Sequence, residues 1–135
     1  MKRLFSIKYS SNSITFSLLL LRLSLGGPMI PHGYKKLMSF AAKSPGFTDP
    51  FGIGSPASMS LTIFAEFFCA IFIVIGLMTR LATIPLIIAM SVALFYAHKG
   101  QLFGDGEHAA LYLFGFIILL FTGPGKISMD KLIGK

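Results

Sequence analysis

Residues 59–98 read MSLTIFAEFFCAIFIVIGLMTRLATIPLIIAMSVALFYAH. This is two apolar runs, Met59–Met78 and Leu81–His98, divided only by Thr79 and Arg80. Each is long enough to cross a bilayer core, which takes about 17 to 25 helical residues. Neither alternates with a period of two, so neither reads as a half-buried strand. A two-residue connection forces the runs into an antiparallel hairpin. Helices satisfy all their own backbone groups in lipid, and open strands do not.

Outward from this hairpin lie two more apolar runs, Ser13–Ile30 and Glu107–Gly123. The last is the shortest and needs its flanks to span. The expectation is an all-α membrane protein. It is an up-down bundle of four transmembrane helices, about 13–30, 59–78, 81–98 and 107–123, in a single domain over residues 1–135. A long first outer loop, Pro31–Ser58, joins the first two helices. Within it Tyr34–Ala42 reads as a short interfacial helix, and the Pro- and Gly-rich remainder as loop. The start, Met1-Lys2-Arg3 before Ile14–Leu21, has the look of a signal peptide, but Arg22 interrupts the run and no small-residue cleavage site follows. Gly123-Pro124-Gly125 stops the last helix, and Ser128 and Asp130 flank a short tail helix.

Composition agrees. Of 135 residues, 54% are hydrophobic and 13% charged, half the charged share of an ordinary soluble domain. Fourteen Phe and long aliphatic runs exclude disorder. The net charge of +7 sits at the termini and in connections rather than in a stripe, so it points to lipid and not to nucleic acid. Seven Lys/Arg (Lys2, Arg3, Lys8, Arg80, Lys126, Lys131, Lys135) fall on the side of the termini and four (Lys35, Lys36, Lys43, Lys99) on the other. That asymmetry predicts cytoplasmic termini. The lone Cys69 excludes an internal disulfide and reads as a small buried residue; no Cys/His spacing suggests a metal.

Polar residues inside apolar runs are the functional candidates. Arg22 and Glu66 fall at matched depth on neighbouring antiparallel spans, which predicts an ion pair, either structural or lining a ligand or proton site. His32, His98, Glu107 and His108 all fall at helix ends on the outer face. Two or more of them are expected to line one cavity reaching Glu66, as a proton relay or quinone headgroup site. Arg80 reads as structural, and so do Ala89, Ala93 and Ala97, whose spacing lets helices approach closely.

Together, Leu21-Arg22-Leu23, His32-Gly33-Tyr34-Lys35-Lys36, Ala65-Glu66-Phe67, Gly76-Leu77-Met78-Thr79-Arg80, His98, Gly106-Glu107 and Gly123-Pro124-Gly125-Lys126-Ile127-Ser128-Met129-Asp130 resemble the DoxX family of small four-helix bacterial membrane proteins. The resemblance implies a multi-pass protein of the bacterial inner membrane, associated with quinone- or thiol-linked redox complexes. It carries Arg22, His32, Glu66, Arg80, His98 and Glu107 as pattern positions. No cofactor is assigned, though a quinone suits the implied role. The implied partners are the lipid bilayer, redox proteins and a second copy of the chain. The reading is therefore a redox-associated subunit that binds a small ligand in the outer half of the bundle. The alternatives are a small-molecule carrier and a non-catalytic scaffold.

Overall fold

The computed structural model describes residues 2–97, 104 and 106–134, and the side chains of these except Arg3 and Ala97. The main helices are α1 (Ser11–Met38), α3 (Ser55–Ile75), α4 (Thr79–Val92, continued by Ala93–Ala97) and α5 (Glu107–Thr122). Two single-turn α-helices, α2 (Phe40–Lys43) after α1 and α6 (Met129–Leu132) in the tail, and two 3₁₀ turns, Lys2–Phe5 and Ser44–Gly46, complete the order. No strand occurs among the described residues. α1, α3 and α4 are each long and apolar enough to cross a membrane, and α5 is a shorter apolar helix.

Successive long helices run antiparallel and close a ring: α1 packs on α3, α3 on α4, α4 on α5 and α5 on α1. Inside the ring lies an apolar core that includes Met29, Ile73, Leu86, Leu94, Phe116 and Leu119. On α4 the core face is Ala82, Leu86, Met90 and Leu94, one residue per turn. Leu81, Ile84, Ile88 and Phe95 point outward and are exposed, as suits a lipid-facing surface.

One helix departs from expectation. The first span was expected to end at Ile30, where the apolar run gives way to Pro31 and the polar residues beyond it. Instead α1 runs eight residues further, through both prolines, to Met38. The reason is tertiary. Gly26, Met29 and Gly33 recur at i, i+3 and i+7 and are buried against α3. That face packs well enough to outweigh the backbone hydrogen bonds the prolines remove. The expected interfacial helix accordingly splits: Tyr34–Met38 belong to α1, and α2 follows after Ser39.

The α3–α4 connection is the tight turn Gly76-Leu77-Met78. Gly76 takes a left-handed conformation (φ 74°) and Leu77 N–H donates to the Phe72 carbonyl at 2.8 Å, a glycine-terminated helix end. Met78 is also left-handed (φ 47°), unusual for a residue with a Cβ. Such a conformation persists only when its surroundings impose it, and the C-terminal tail does so.

Candidate functional site

The polar groups collect at two ends of the bundle. The terminal end holds the start of α1, the α3–α4 turn, the end of α5 and the tail. The loop end holds the end of α1, the Ser39–Gly54 connection and the starts of α3 and α5.

At the terminal end the organising residue is Arg22, only 2% exposed. Its Nε donates to the Ile73 carbonyl (2.9 Å), which also accepts from Gly76 N–H, and its Nη2 to the Val74 carbonyl (2.8 Å), where α3 ends. Its Nη1 donates to the carbonyls of Pro124 (3.0 Å) and Ile127 in the tail. One guanidinium thus fastens α1, α3 and the tail together. Asp130 completes the clamp from the other side. Its carboxylate accepts from the N–H groups of Met78 (2.7 Å) and Thr79 (3.0 Å), and its own N–H donates to the Gly76 carbonyl (2.9 Å). It therefore caps α4 from 51 residues away and holds Met78 in its strained conformation. Ser128 caps α6 through Lys131 N–H, as the sequence suggests. Asp130 turns back to α4 instead of serving the tail alone. Arg80 is exposed, with its guanidinium lying over Gly123.

At the loop end the central residue is Glu66, 6% exposed. It sits in a π-helical segment of α3, Phe64–Cys69. Such wider turns are frequent at functional sites. Its carboxylate pairs with Lys36 Nζ at 2.5 Å, the one ion pair among the described residues. Gly33, one turn before Lys36, allows the approach. A Cβ there would lie 2.6 Å from Phe67 N and 2.7 Å from Glu66 C, so only glycine lets α1 ride on this backbone.

The expected Arg22–Glu66 pair therefore does not form: each has other partners. The physical reason is register. Arg22 lies against Ile73 and Val74, Gly26 against Ala70, and Gly33 against Glu66 and Phe67. Because α1 extends past Ile30, its loop end is Met38, and Glu66 meets a residue near that end. Lys36 escaped the sequence reading because it was assigned to the loop. The signal available was Gly33 three residues before it, a close-approach residue opposite an intramembrane acid.

His32 lies within α1 rather than at its end and is exposed; Glu107 and His108 open α5 and are exposed too. None of these three lines either cavity described below. His98 lies outside the described residues. No group of three potential metal ligands occurs among the described residues. Ala89 and Ala93 pack against the core beside Met90 and Leu94, and the side chain of Ala97 lies outside the described residues. Cys69 is buried.

An apolar cavity of about 280 Å³ opens at the loop end between α3 and α4, under Pro50, Phe51 and Ile53 of the connection. Phe64 and Ala65 line it from the start of the Glu66 π segment. Pro85, Ala89 and Val92 line it from α4, and Val92 immediately precedes the second π segment, Ala93–Ala97. Ser58 and Thr62 are its hydroxyl-bearing residues. Both hydroxyls donate to backbone carbonyls, which leaves their oxygens as acceptors.

The DoxX family model matches residues 17–99. An uncharacterized membrane protein of Mycobacterium tuberculosis is 32% identical over 88% of this chain and 82% of its own length. Two uncharacterized proteins of Haemophilus influenzae are 30% and 28% identical, over 86% and 88% of this chain and 90% and 84% of theirs. No solved structure matches.

Proposed function

The chain belongs to the DoxX family, and from that premise we propose that it is a ligand-binding membrane subunit of a redox complex. It takes a largely apolar, single-ring ligand of the quinone class in the loop-end half of the bundle. The observation that carries this reading is the loop-end cavity, bounded by the beginnings of two π-helical segments and roofed by the connection. Its volume is near the lower limit for small-molecule sites and suits one ring, with any tail leaving between helices into lipid. The hydroxyl oxygens of Ser58 and Thr62 offer acceptors, which suit the O–H groups of the reduced, quinol form. Lys36 and Glu66 occupy the α1 side of the same π segment, where a charged pair can tune and hold it. Arg22 leaves the ligand set, because four backbone carbonyls occupy its donors.

With one cysteine, thiol–disulfide exchange falls to a partner protein and not to this subunit. The scaffold alternative draws support from the terminal clamp, which is built for rigidity. A carrier would need a path through that clamp. The Lys/Arg asymmetry supports a bacterial inner-membrane protein with both termini cytoplasmic. Single cysteines at Lys43 and Lys131 should then label from opposite sides, Lys131 from the cytoplasm, and labelling of both from the same side would mean that the span count or topology is wrong.

Native mass spectrometry of the detergent-purified chain tests the ligand and reports any homo-oligomer. A quinone-class molecule should accompany the wild type and be lost from Ala89→Phe, which fills the cavity, with little change in thermal midpoint. Full retention in Ala89→Phe, or phospholipid as the sole adduct, would remove the proposal and leave the scaffold.

A further inference from the structure

A second cavity, larger and more polar, of about 660 Å³, opens at the terminal end between the start of α4, the end of α5 and α6. Thr79, Arg80, Thr122, Asp130 and Lys131 supply its polar lining. The loop-end ligand reading makes no use of it.

Four features converge there. First, Arg80 and Lys131 bring two cations, and among the described residues neither side chain has a carboxylate partner. Second, the carboxylate of Asp130 is already engaged by the N–H groups of Met78 and Thr79. Its oxygens are thus occupied by backbone donors, and the two cations outnumber it in the lining. Third, the α4 backbone ladder begins with Ala82 N–H donating to the Met78 carbonyl. The N–H groups of Arg80 and Leu81 come before that first bond, at the positive end of a long helix. Fourth, Thr79 is fully buried and its Oγ1 has no hydrogen-bond partner, the one such buried side-chain atom among the described residues. A buried hydroxyl without a partner is a defect unless something completes it, and Thr79 lines this cavity.

We infer that this cavity is a phosphate oxyanion site. The α4 start and the two cationic arms provide donors from several directions, which suits a tetrahedral anion better than a planar one. Its surroundings suit a phospholipid headgroup. It lies where a span ends, at the level of lipid phosphates. Leu81 also lines it and is 63% exposed, offering an apolar shoulder for acyl chains. Basic pockets at helix ends are a recurrent way of holding anionic lipids. Free phosphate shares the same chemistry, and the experiment separates the two sources.

The protein is reconstituted in mixed phosphatidylglycerol and phosphatidylcholine bilayers, extracted, and weighed by native mass spectrometry for retained phosphatidylglycerol. Arg80→Gln with Lys131→Gln should lower retention by about tenfold or more. Arg80→Lys with Lys131→Arg, which keeps both charges, should preserve most of it and controls for folding. Lys2→Gln with Lys8→Gln removes two cations at the same end but outside the cavity, and should change little. Added inorganic phosphate that displaces the lipid would show that the oxyanion alone is recognised. Lipid retained in its presence would show that the acyl chains are needed, and both results support the site. Equal losses from the two Gln pairs would reduce the effect to general surface charge and overturn the proposal. Unchanged retention in Arg80→Gln with Lys131→Gln would overturn it as well.

Discussion

The two ends of the bundle handle polar groups in opposite ways. At the terminal end, Arg22 and Asp130 bond to backbone, and each ties segments remote in sequence. At the loop end, Lys36 and Glu66 bond to each other, across one helix pair, beside an apolar cavity. A side chain that serves backbone carbonyls fixes helix positions, because those carbonyls cannot move without the helix. A side-chain pair can part and re-form while the helices stay. The terminal end is thus built to hold and the loop end to adjust, and the ligand-sized apolar space lies in the end that can yield.

The contrast is broken most severely by removing Arg22. Arg22→Met removes the guanidinium from four carbonyls, of which Ile73 alone keeps a bond among the described residues, from Gly76 N–H. The expected loss is about 3–5 kcal/mol. It should show as a sharp fall in thermal midpoint in detergent, together with proteolysis of the released tail. An Arg22→Met protein that melts like wild type would mean that the clamp is ornamental.

A smaller effect sharpens the comparison at the helix contact that sets the register. Gly33→Ala places a methyl against the backbone of Phe67 and should cost about 1–3 kcal/mol. Gly27 has open space around it, so Gly27→Ala should be neutral or slightly stabilising through helix propensity. If the two glycines behaved alike in denaturation from mixed micelles, α1 would not ride on α3 in the described register.

The smallest effect belongs to the ion pair. Lys36 is about a third exposed, so a double-mutant cycle of Lys36→Met and Glu66→Gln should return a coupling of about 1 kcal/mol at most. The same cycle with Arg22 in place of Lys36 should return nothing beyond additivity. A strong Arg22–Glu66 coupling would restore the pairing that matched depth alone suggests.

Much of this architecture is legible in the sequence, and the errors have a common physical source. The hairpin divided by Thr79 and Arg80 and the last span are found within a few residues, because hydropathy and Gly-Pro-Gly speak locally. The end of α1 is not found. The end of its apolar run is local as well, while the face that overrides it, Gly26, Met29 and Gly33, matters only once α3 is opposite. Every inference that counted residues from that end inherits the error, including the depth of Arg22 and the status of Lys36. Arg22 and Glu66 are correctly singled out as buried polar residues, since composition alone makes them expensive in lipid. The partners of Arg22 could not be read, because backbone carbonyls at helix ends have no sequence signature, and the partner of Glu66 was missed because Lys36 was assigned to the loop. The role of Asp130 was hidden for the same reason: its acceptor function is exercised on N–H groups rather than on a charged residue.

The clamp also has a consequence for how the molecule comes into being. Two of the four acceptors of Arg22, Pro124 and Ile127, and the carboxylate that caps α4 all follow α5 in the chain. During synthesis these leave the ribosome after all four spans. Until then an inserted chain carries a half-satisfied guanidinium within the bilayer and a bare helix start at Thr79. A product interrupted just past Thr122 would keep every span yet lack the acceptors that make it tolerable, and so differ from the finished protein in lifetime rather than in topology.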